Sequence, residues 1–331
     1  MSRLAPAPAA ADLATFRATF ASDVRAYLQR SPRQLPSKYF YDDLGSSLFE
    51  AICRLPWYRI TRAESALLAR HARQIFEGLA RPISIAELGC GGGDKLTALA
   101  GSAREPVRLI QLIDISNAAL EMARDRLQLA GFRDVLAHHA TYEEGLAMAA
   151  RARPPEGSLV VLFLGSNIGN FDPPVARDLL VRIHGVLRPG DALLLGTDLV
   201  KPERELLLAY DDPLEVTAAF NRNLLRRIND ELGGTFDLEG FAHRAVWNRA
   251  DSRVEMHLVS LRRQPVRIEA ADMELTFEPG EMIWTEASHK YEAGQIRDEG
   301  VAAGFSAPTQ WIDRDAAFAL TRFTVPERVP S

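Results

Sequence analysis

The sequence is short of cysteine: among 331 residues only Cys53 and Cys90 occur. Two thiols cannot build the disulfide framework of a small secreted scaffold. Nor do they cluster with histidine in the spacing of a four-ligand zinc site. Reducing, cytoplasmic conditions are therefore expected. Long apolar runs are missing as well. None approaches the ~20 residues that span a bilayer, so no membrane partner is expected. The start, Met1–Ala11, is rich in Ala and Pro but lacks a Leu-rich stretch behind a basic beginning. It reads as a short flexible lead-in and not as a signal peptide. A basic surplus is also absent. Lys and Arg total 39 against 44 Asp and Glu, a net charge of −5, which argues against a nucleic-acid partner. The adjacent histidines His138 and His139 fall on a strand-like stretch and would point to opposite faces. With no carboxylate–histidine cluster beside them, no metal site is expected.

What remains is an ordinary globular composition, 47% hydrophobic and 25% charged, in a chain long enough for about two domains. Leu13, Phe16, Phe20, Val24 and Leu28 recur at helical spacing over 12–30. The stretch 36–62 is aromatic, with Tyr39, Phe40, Tyr41, Phe49, Trp57 and Tyr58, and a second helix is expected over 63–78. From Ile83 short apolar runs alternate with helical patterns. Strands are expected at 83–88, 108–113, 135–138, 158–165 and 191–199, and helices from about Lys95, over 117–129 and over 174–187. This alternation predicts a parallel sheet covered on both faces. After Lys201 it stops. A helical stretch, 214–232, is followed by residues that alternate apolar and polar around Val254–Leu258, Val266–Ile268 and Met273–Phe277, the pattern of antiparallel strands with one wet face. A helix near 293–303 and a last strand over 317–325 close the chain.

The strongest chemical signal is the stretch Glu87–Lys95, ELGCGGGDK, between the first strand of the alternating region and the helix after it. Glycines there allow a sharp turn and a close approach of backbone to ligand. Asp94 stands where a dinucleotide fingerprint needs its third glycine, and the spacing is not that of a phosphate-binding P-loop. The form E-L-G-x-G-x-G instead looks like motif I of S-adenosylmethionine (SAM) methyltransferases. Asp114 ends the next strand, where a carboxylate can accept hydrogen bonds from both ribose hydroxyls of a nucleoside.

The match extends well beyond this loop. It includes Leu35–Asp42 (LPSKYFYD), Gly45–Phe49, Arg54–Tyr58 with Thr61-Arg62, Phe163–Asn170 (FLGSNIGN), Leu194–Lys201, Ala209–Asp212, Val216–Asn223 and Trp284–Tyr291 (WTEASHKY). Over nearly its whole length the sequence resembles the histidine-specific SAM-dependent methyltransferases. The resemblance implies an α/β fold, a Rossmann-like SAM methyltransferase sheet with an inserted α+β substrate domain. The SAM-binding domain would comprise 63–200 and 291–331, and a discontinuous substrate-binding domain 1–62 and 201–290. It implies transfer of three methyl groups from SAM to the α-amine of L-histidine. The products would be hercynine, the first intermediate of ergothioneine biosynthesis, and S-adenosyl-L-homocysteine. A monomer is expected.

Carried over by position, the resemblance assigns Gly89, Gly91, Lys95 and Asp114 to SAM, with Thr141 and Tyr142 near the adenine. There the family has an Asp before its aromatic, and Thr141 replaces that carboxylate. Asn170 and Tyr210 match the residues that hold the substrate carboxylate. Tyr58 matches a tyrosine near the amine, and Tyr41 and Phe49 complete an aromatic wall. Glu286 and Ser288 match the pair that reads the imidazole nitrogens, and Met256 lines the pocket. Tyr58 and Tyr41 are the candidates for positioning the reacting amine; no strong base for its proton stands out. Cys90 reads as a small packing residue, and the charges at Arg222–Arg227 as a solvated helix face. Three other readings remain open: an N-methyltransferase of a tryptophan derivative or other amino acid on the same fold, a module that binds SAM without turnover, and a nucleic-acid methyltransferase. Glu286, Ser288 and Met256 together favour histidine. The intact loop and pocket residues argue against the module. The acidic balance and the lack of an Asn-Pro-Pro-aromatic motif argue against the third.

Overall fold

The computed structural model describes residues 10–102, 107–306 and 308–326. Most of the Ala/Pro-rich lead-in, residues 1–9, lies outside the described residues. The helices are α1 (Ala10–Leu28), α2 (Asp43–Arg54), α3 (Ile60–Ile75), α4 (Asp94–Ser102), α5 (Asn117–Leu129), α6 (Tyr142–Ala152), α7 (Pro173–Val186), α8 (Glu203–Tyr210), α9 (Val216–Leu232) and α10 (Ala293–Ala302). The first seven strands are β1 (Arg33–Gln34), β2 (Ile83–Leu88), β3 (Val107–Asp114), β4 (Val135–His139), β5 (Ser158–Phe163), β6 (Ala192–Asp198) and β7 (Phe241–Asn248). Then come β8 (Arg253–Ser260), β9 (Gln264–Ile268), β10 (Met273–Phe277), β11 (Met282–His289), β12 (Thr309–Asp313) and β13 (Phe318–Thr324).

Two compact units divide the chain. One, the insert unit, takes residues up to Ile52, Leu207–Trp247 and Val254–Glu286. The other, the sheet unit, takes Cys53–Leu206, Asn248–Arg253 and the chain from Ala287 on.

The sheet unit is built on seven strands in the order β12-β13-β6-β5-β2-β3-β4. Every residue of β2, β5 and β6 is buried, as continuous apolar strands covered on both faces must be. The four pairings among β4, β3, β2, β5 and β6 are parallel, as expected. The far edge lies outside that alternating region and differs: β13 runs antiparallel to both β6 and β12. For the β12–β13 pair the reason is local. Only a short turn joins β12 to β13, too short for the crossover a parallel pair requires. β2 lies between β3 and β5, so the connections diverge at its C-terminal end. That is the switch point where open α/β sheets bind ligands.

The insert unit holds a four-stranded sheet, β1-β11-β8-β7, and the two-stranded pair β9-β10. α9 supplies much of its core: Phe220, Leu224, Leu225, Ile228 and Leu232 are almost completely buried. The Arg222–Arg227 run is not simply a solvated face. Arg227 is buried, donates to the Tyr39 carbonyl at 2.7 Å and pairs with Glu231 at 2.6 Å. Among the described residues no helix is long and apolar enough to cross a membrane. In that same set no group of three or more His, Cys, Asp or Glu side chains could hold a metal ion.

Candidate active site

In the sheet unit, the turn after β2 places the glycine loop at the switch point. Gly89 has φ +71°, the left-handed region that favours glycine. A Cβ there would lie 2.9 Å from Asn167 Nδ2 and 3.0 Å from Tyr142 Oη. The absent side chain therefore leaves a small cradle rimmed by two polar groups. The loop is pinned to β3. Gly89 N–H donates to the Ile113 carbonyl at 2.8 Å, and Gly91 N–H donates to Asp114 Oδ2 at 3.1 Å. Ser116 N–H takes the other oxygen of Asp114 at 2.9 Å. Burial holds the Asp114 carboxyl above its usual range, opposed by these amides, which favour the carboxylate.

Tyr142 opens α6 and sets its ring edge-to-face on Phe163, with centroids 5.2 Å apart. Burial raises its phenol well above the ordinary value, so it stays an O–H donor beside Gly89. Thr141 has a structural task of its own. It forms a capping box with Glu144: its hydroxyl accepts from the Glu144 N–H at 3.4 Å, and its backbone N–H donates to the Glu144 carboxylate at 3.3 Å, to which the hydroxyl also donates at 3.0 Å.

Lys95 lies one residue into α4 and does not stand alone. Its Nζ is 2.6 Å from Glu64 Oε2, and Glu64 is fully buried. Both Glu64 oxygens also accept from Gly165 N–H, at 2.8 and 2.9 Å. Nearby, burial pushes the Glu87 carboxyl up to about 8; Lys95 opposes the shift, and Glu64 and Asp114 add to it. Glu87 Oε2 has no hydrogen-bond partner. The remaining sheet-unit candidates lie at several points of the fold. Tyr58, mostly buried, precedes α3. Asn170 is exposed at the end of a short 3₁₀ turn, Asn167–Asn170, after β5. Ser288 is buried, and its Oγ accepts from Lys290 Nζ at 2.9 Å. Lys290 in turn pairs at 3.0 Å with Asp198 at the end of β6.

In the insert unit, Tyr41 and Phe49 meet edge-to-face at 5.7 Å. Phe220 of α9 joins them at 5.8 and 6.0 Å and stacks on Phe40 at 4.5 Å. Phe220 was missing from the sequence candidates. Its signal was an aromatic on the buried face of a long helix, which reads as core. Tyr210 ends α8, and its carbonyl accepts from His243 Nε2 at 2.8 Å. Asn221 Nδ2 faces His243 Nδ1 at 2.9 Å and also donates to the His257 carbonyl at 3.1 Å. These partners require neutral His243 with its hydrogen on Nε2. Burial likewise pushes its pKa down. Met256 and Glu286 lie on the paired strands β8 and β11. Met256 is buried; its carbonyl accepts from Thr285 Oγ1 at 3.0 Å. The Glu286 carbonyl accepts from Trp284 Nε1 at 2.7 Å.

The structure thus gathers Gly89, Gly91, Asp114 and Tyr142 at the ends of β2 and β3, with Lys95 on the neighbouring helix. Such a constellation suits a nucleoside cofactor that needs no phosphate cradle. Comparison with known proteins decides between the possibilities. The family model described as histidine-specific methyltransferase, SAM-dependent, matches residues 20–325. The chain belongs to that family. Its relatives include histidine N-alpha-methyltransferases from Mycobacterium tuberculosis and Mycolicibacterium smegmatis. Each is 39% identical over 303 residues, covering 90% of this chain and 92% of theirs. The ergothioneine biosynthesis protein 1 of Neurospora crassa is 29% identical over 273 residues, 77% of this chain and 31% of that one. The chain is accordingly a SAM-dependent methyltransferase, and its Rossmann-like sheet has the strand order described above. The cradle at Gly89, rimmed by an amide and a phenol, and the Asp114 carboxylate fit the cofactor's methionyl and ribose groups.

Proposed function

We propose that this methyltransferase transfers three methyl groups in succession from SAM to the α-amine of L-histidine, yielding hercynine at the entry to ergothioneine biosynthesis. The observation that carries this reading is the 39% identity, along nine-tenths of the chain, to proteins named for that reaction. The cofactor supplies an electrophilic methyl on a sulfonium, and S-adenosyl-L-homocysteine leaves. Everything else falls to the chain's own residues. On this reading Gly89, Gly91, Lys95, Asp114, Thr141 and Tyr142 bind the cofactor. Asn170 and Tyr210 hold the substrate carboxylate through an amide N–H and a phenol O–H. Glu286 and Ser288 read the imidazole, Met256 lines the pocket, and Tyr58, Tyr41 and Phe49 surround the amine.

Methyl transfer is an in-line displacement, so positioning supplies most of the rate. The amine must be neutral to attack, so it gives up one proton before each of the three transfers, and every transfer leaves the nitrogen positively charged. The third transfer creates a fixed positive charge. Aromatic faces such as those of Tyr41 and Phe49 stabilise it by about 0.5–2 kcal/mol each. An analogue without the ring nitrogens leaves a carboxylate unpaired, which is how Glu286 gives specificity. We further place the protein in the cytoplasm as a monomer without nucleic-acid or membrane partners.

The test is mass spectrometry of the purified protein incubated with SAM and the twenty amino acids. Histidine alone should gain three methyl groups, and fragmentation should place them on the α-nitrogen. Unmodified histidine, with SAM still bound, would leave the fold and cofactor reading intact and overturn the substrate.

A further inference from the structure

Glu64 has no place in the reaction as assigned above, yet it is a buried carboxylate held by an ammonium and a backbone amide at once. It sits on α3, outside the glycine loop, and is completely buried. One side chain at once pairs with Lys95 Nζ at 2.6 Å and accepts the Gly165 N–H with both oxygens. Room for it has been cleared. A Cβ on Gly196 in β6 would lie 1.9 Å from Glu64 Oε1. The turn it grips is a demanding one. Gly165 and Ser166 both lie in the left-handed region, with φ of +73° and +59°. For Ser166 that costs about 1 kcal/mol, tolerated where surrounding contacts over-determine the backbone. The turn leads directly into the 3₁₀ segment that carries Asn170. A Cβ on Gly165 would lie 3.4 Å from Lys95 Nζ, so ammonium, carboxylate and turn form one cluster.

We propose that Glu64 is a positioning residue that ties the cofactor-binding Lys95 to the Gly165–Ser166 turn ahead of Asn170, so that the cofactor and substrate residues are set by one buried carboxylate. The proposal rests on the assignment of Lys95 to SAM. Its chemistry follows from burial. A desolvated ammonium tends to lose its proton, and a carboxylate at hydrogen-bond distance keeps it charged. Burial alone would lower the Lys95 pKa; Glu64, with smaller help from Glu87 and Cys53, reverses that. A charged Lys95 with its direction fixed can hold an anionic group such as the cofactor's carboxylate. An unheld or neutral one cannot.

The experiment is calorimetric titration of SAM into the full-length protein and into the variants Glu64→Gln, Lys95→Met and the double variant, each also followed by thermal melting. Gln keeps an acceptor for Gly165 N–H but cannot hold the ammonium. Glu64→Gln should therefore weaken SAM binding roughly tenfold or more. Lys95→Met should do the same, and the double variant should bind no worse than Lys95→Met. Wild-type SAM affinity in Glu64→Gln, with only a lowered melting temperature, would make Glu64 merely structural and overturn the coupling. So would losses that multiply in the double variant. Should Glu64→Gln not fold, the double variant, which leaves no unpaired charge, is compared with Lys95→Met: equal affinity supports the coupling and a further loss overturns it. Unchanged SAM binding in Lys95→Met would overturn both this coupling and the assignment of Lys95 on which it rests.

Discussion

On the proposed assignment, Asp114 and Glu286 separate the cofactor from the substrate at the level of single side chains. Asp114→Ala removes the carboxylate pinned by Gly91 and Ser116. It should weaken SAM far more than histidine, and unchanged SAM affinity by calorimetry would remove it from the ribose site. Glu286→Ala should do the reverse, weakening histidine while sparing SAM; equal losses would contradict its role. Glu87 makes a prediction about pH. Its pKa is raised to about 8 in the folded chain from an ordinary 4.5. The folded state then keeps a proton that the unfolded state has released. This group's contribution is intact below pH 4.5 and is lost as pH rises toward 8, by up to about 1.4 kcal/mol per pH unit. Glu87→Gln removes that dependence. The variant's melting temperature should rise relative to wild type between pH 5 and 9, whereas a constant difference would mean Glu87 is already ionised. Glu64 escaped the sequence reading for a physical reason: a lone acid on an amphipathic helix gives no sign that a loop a hundred residues onward closes over it. The turn at Gly89 and the strand-end position of Asp114, by contrast, are legible because turn and strand-end signals are local.

At the scale of elements, the clearest successes are β2 and α5, whose bounds, Ile83–Leu88 and Asn117–Leu129, agree with the sequence reading. β2 is an uninterrupted apolar run, and the Ser116 side chain caps α5 by accepting from Ala119 N–H. α2 was hidden in an aromatic stretch whose bulky residues carry no clean period, and β7 in FAHRAVWN, where most residues are only half-buried. β12 was missed because polar and half-buried residues dominate it. Two element-level substitutions follow. Thr141→Ala should cost about 1 kcal/mol by loss of the α6 cap, measurable by denaturant unfolding. Gly196→Ala forces a methyl onto the Glu64 carboxylate inside β6 and should cost about 1–3 kcal/mol, with SAM affinity falling alongside stability. A Gly196→Ala protein as stable as wild type would show that Glu64 can move aside freely.

For the whole molecule, both units are discontinuous in sequence. The chain passes from one to the other at 52/53, 206/207, 247/248, 253/254 and 286/287. The sheet unit in particular depends on its last segment. β13 pairs with β6 from Phe318↔Asp198 to Thr324↔Ala192, and Phe318, Leu320 and Phe323 are completely buried. Truncation before β12 should therefore abolish the cooperative thermal transition, as circular dichroism would show. Growth on the ribosome gives this arrangement a further consequence. Segments emerge in order, and domains ordinarily fold as they appear. Here β6, with Leu193, Leu194 and Leu195 along it, leaves the tunnel while its antiparallel neighbour is still unsynthesised. Until that neighbour arrives the nascent chain carries an open, oily sheet edge, a natural client for chaperones. The sheet unit of this methyltransferase thus begins its sheet early in translation and can complete it only late.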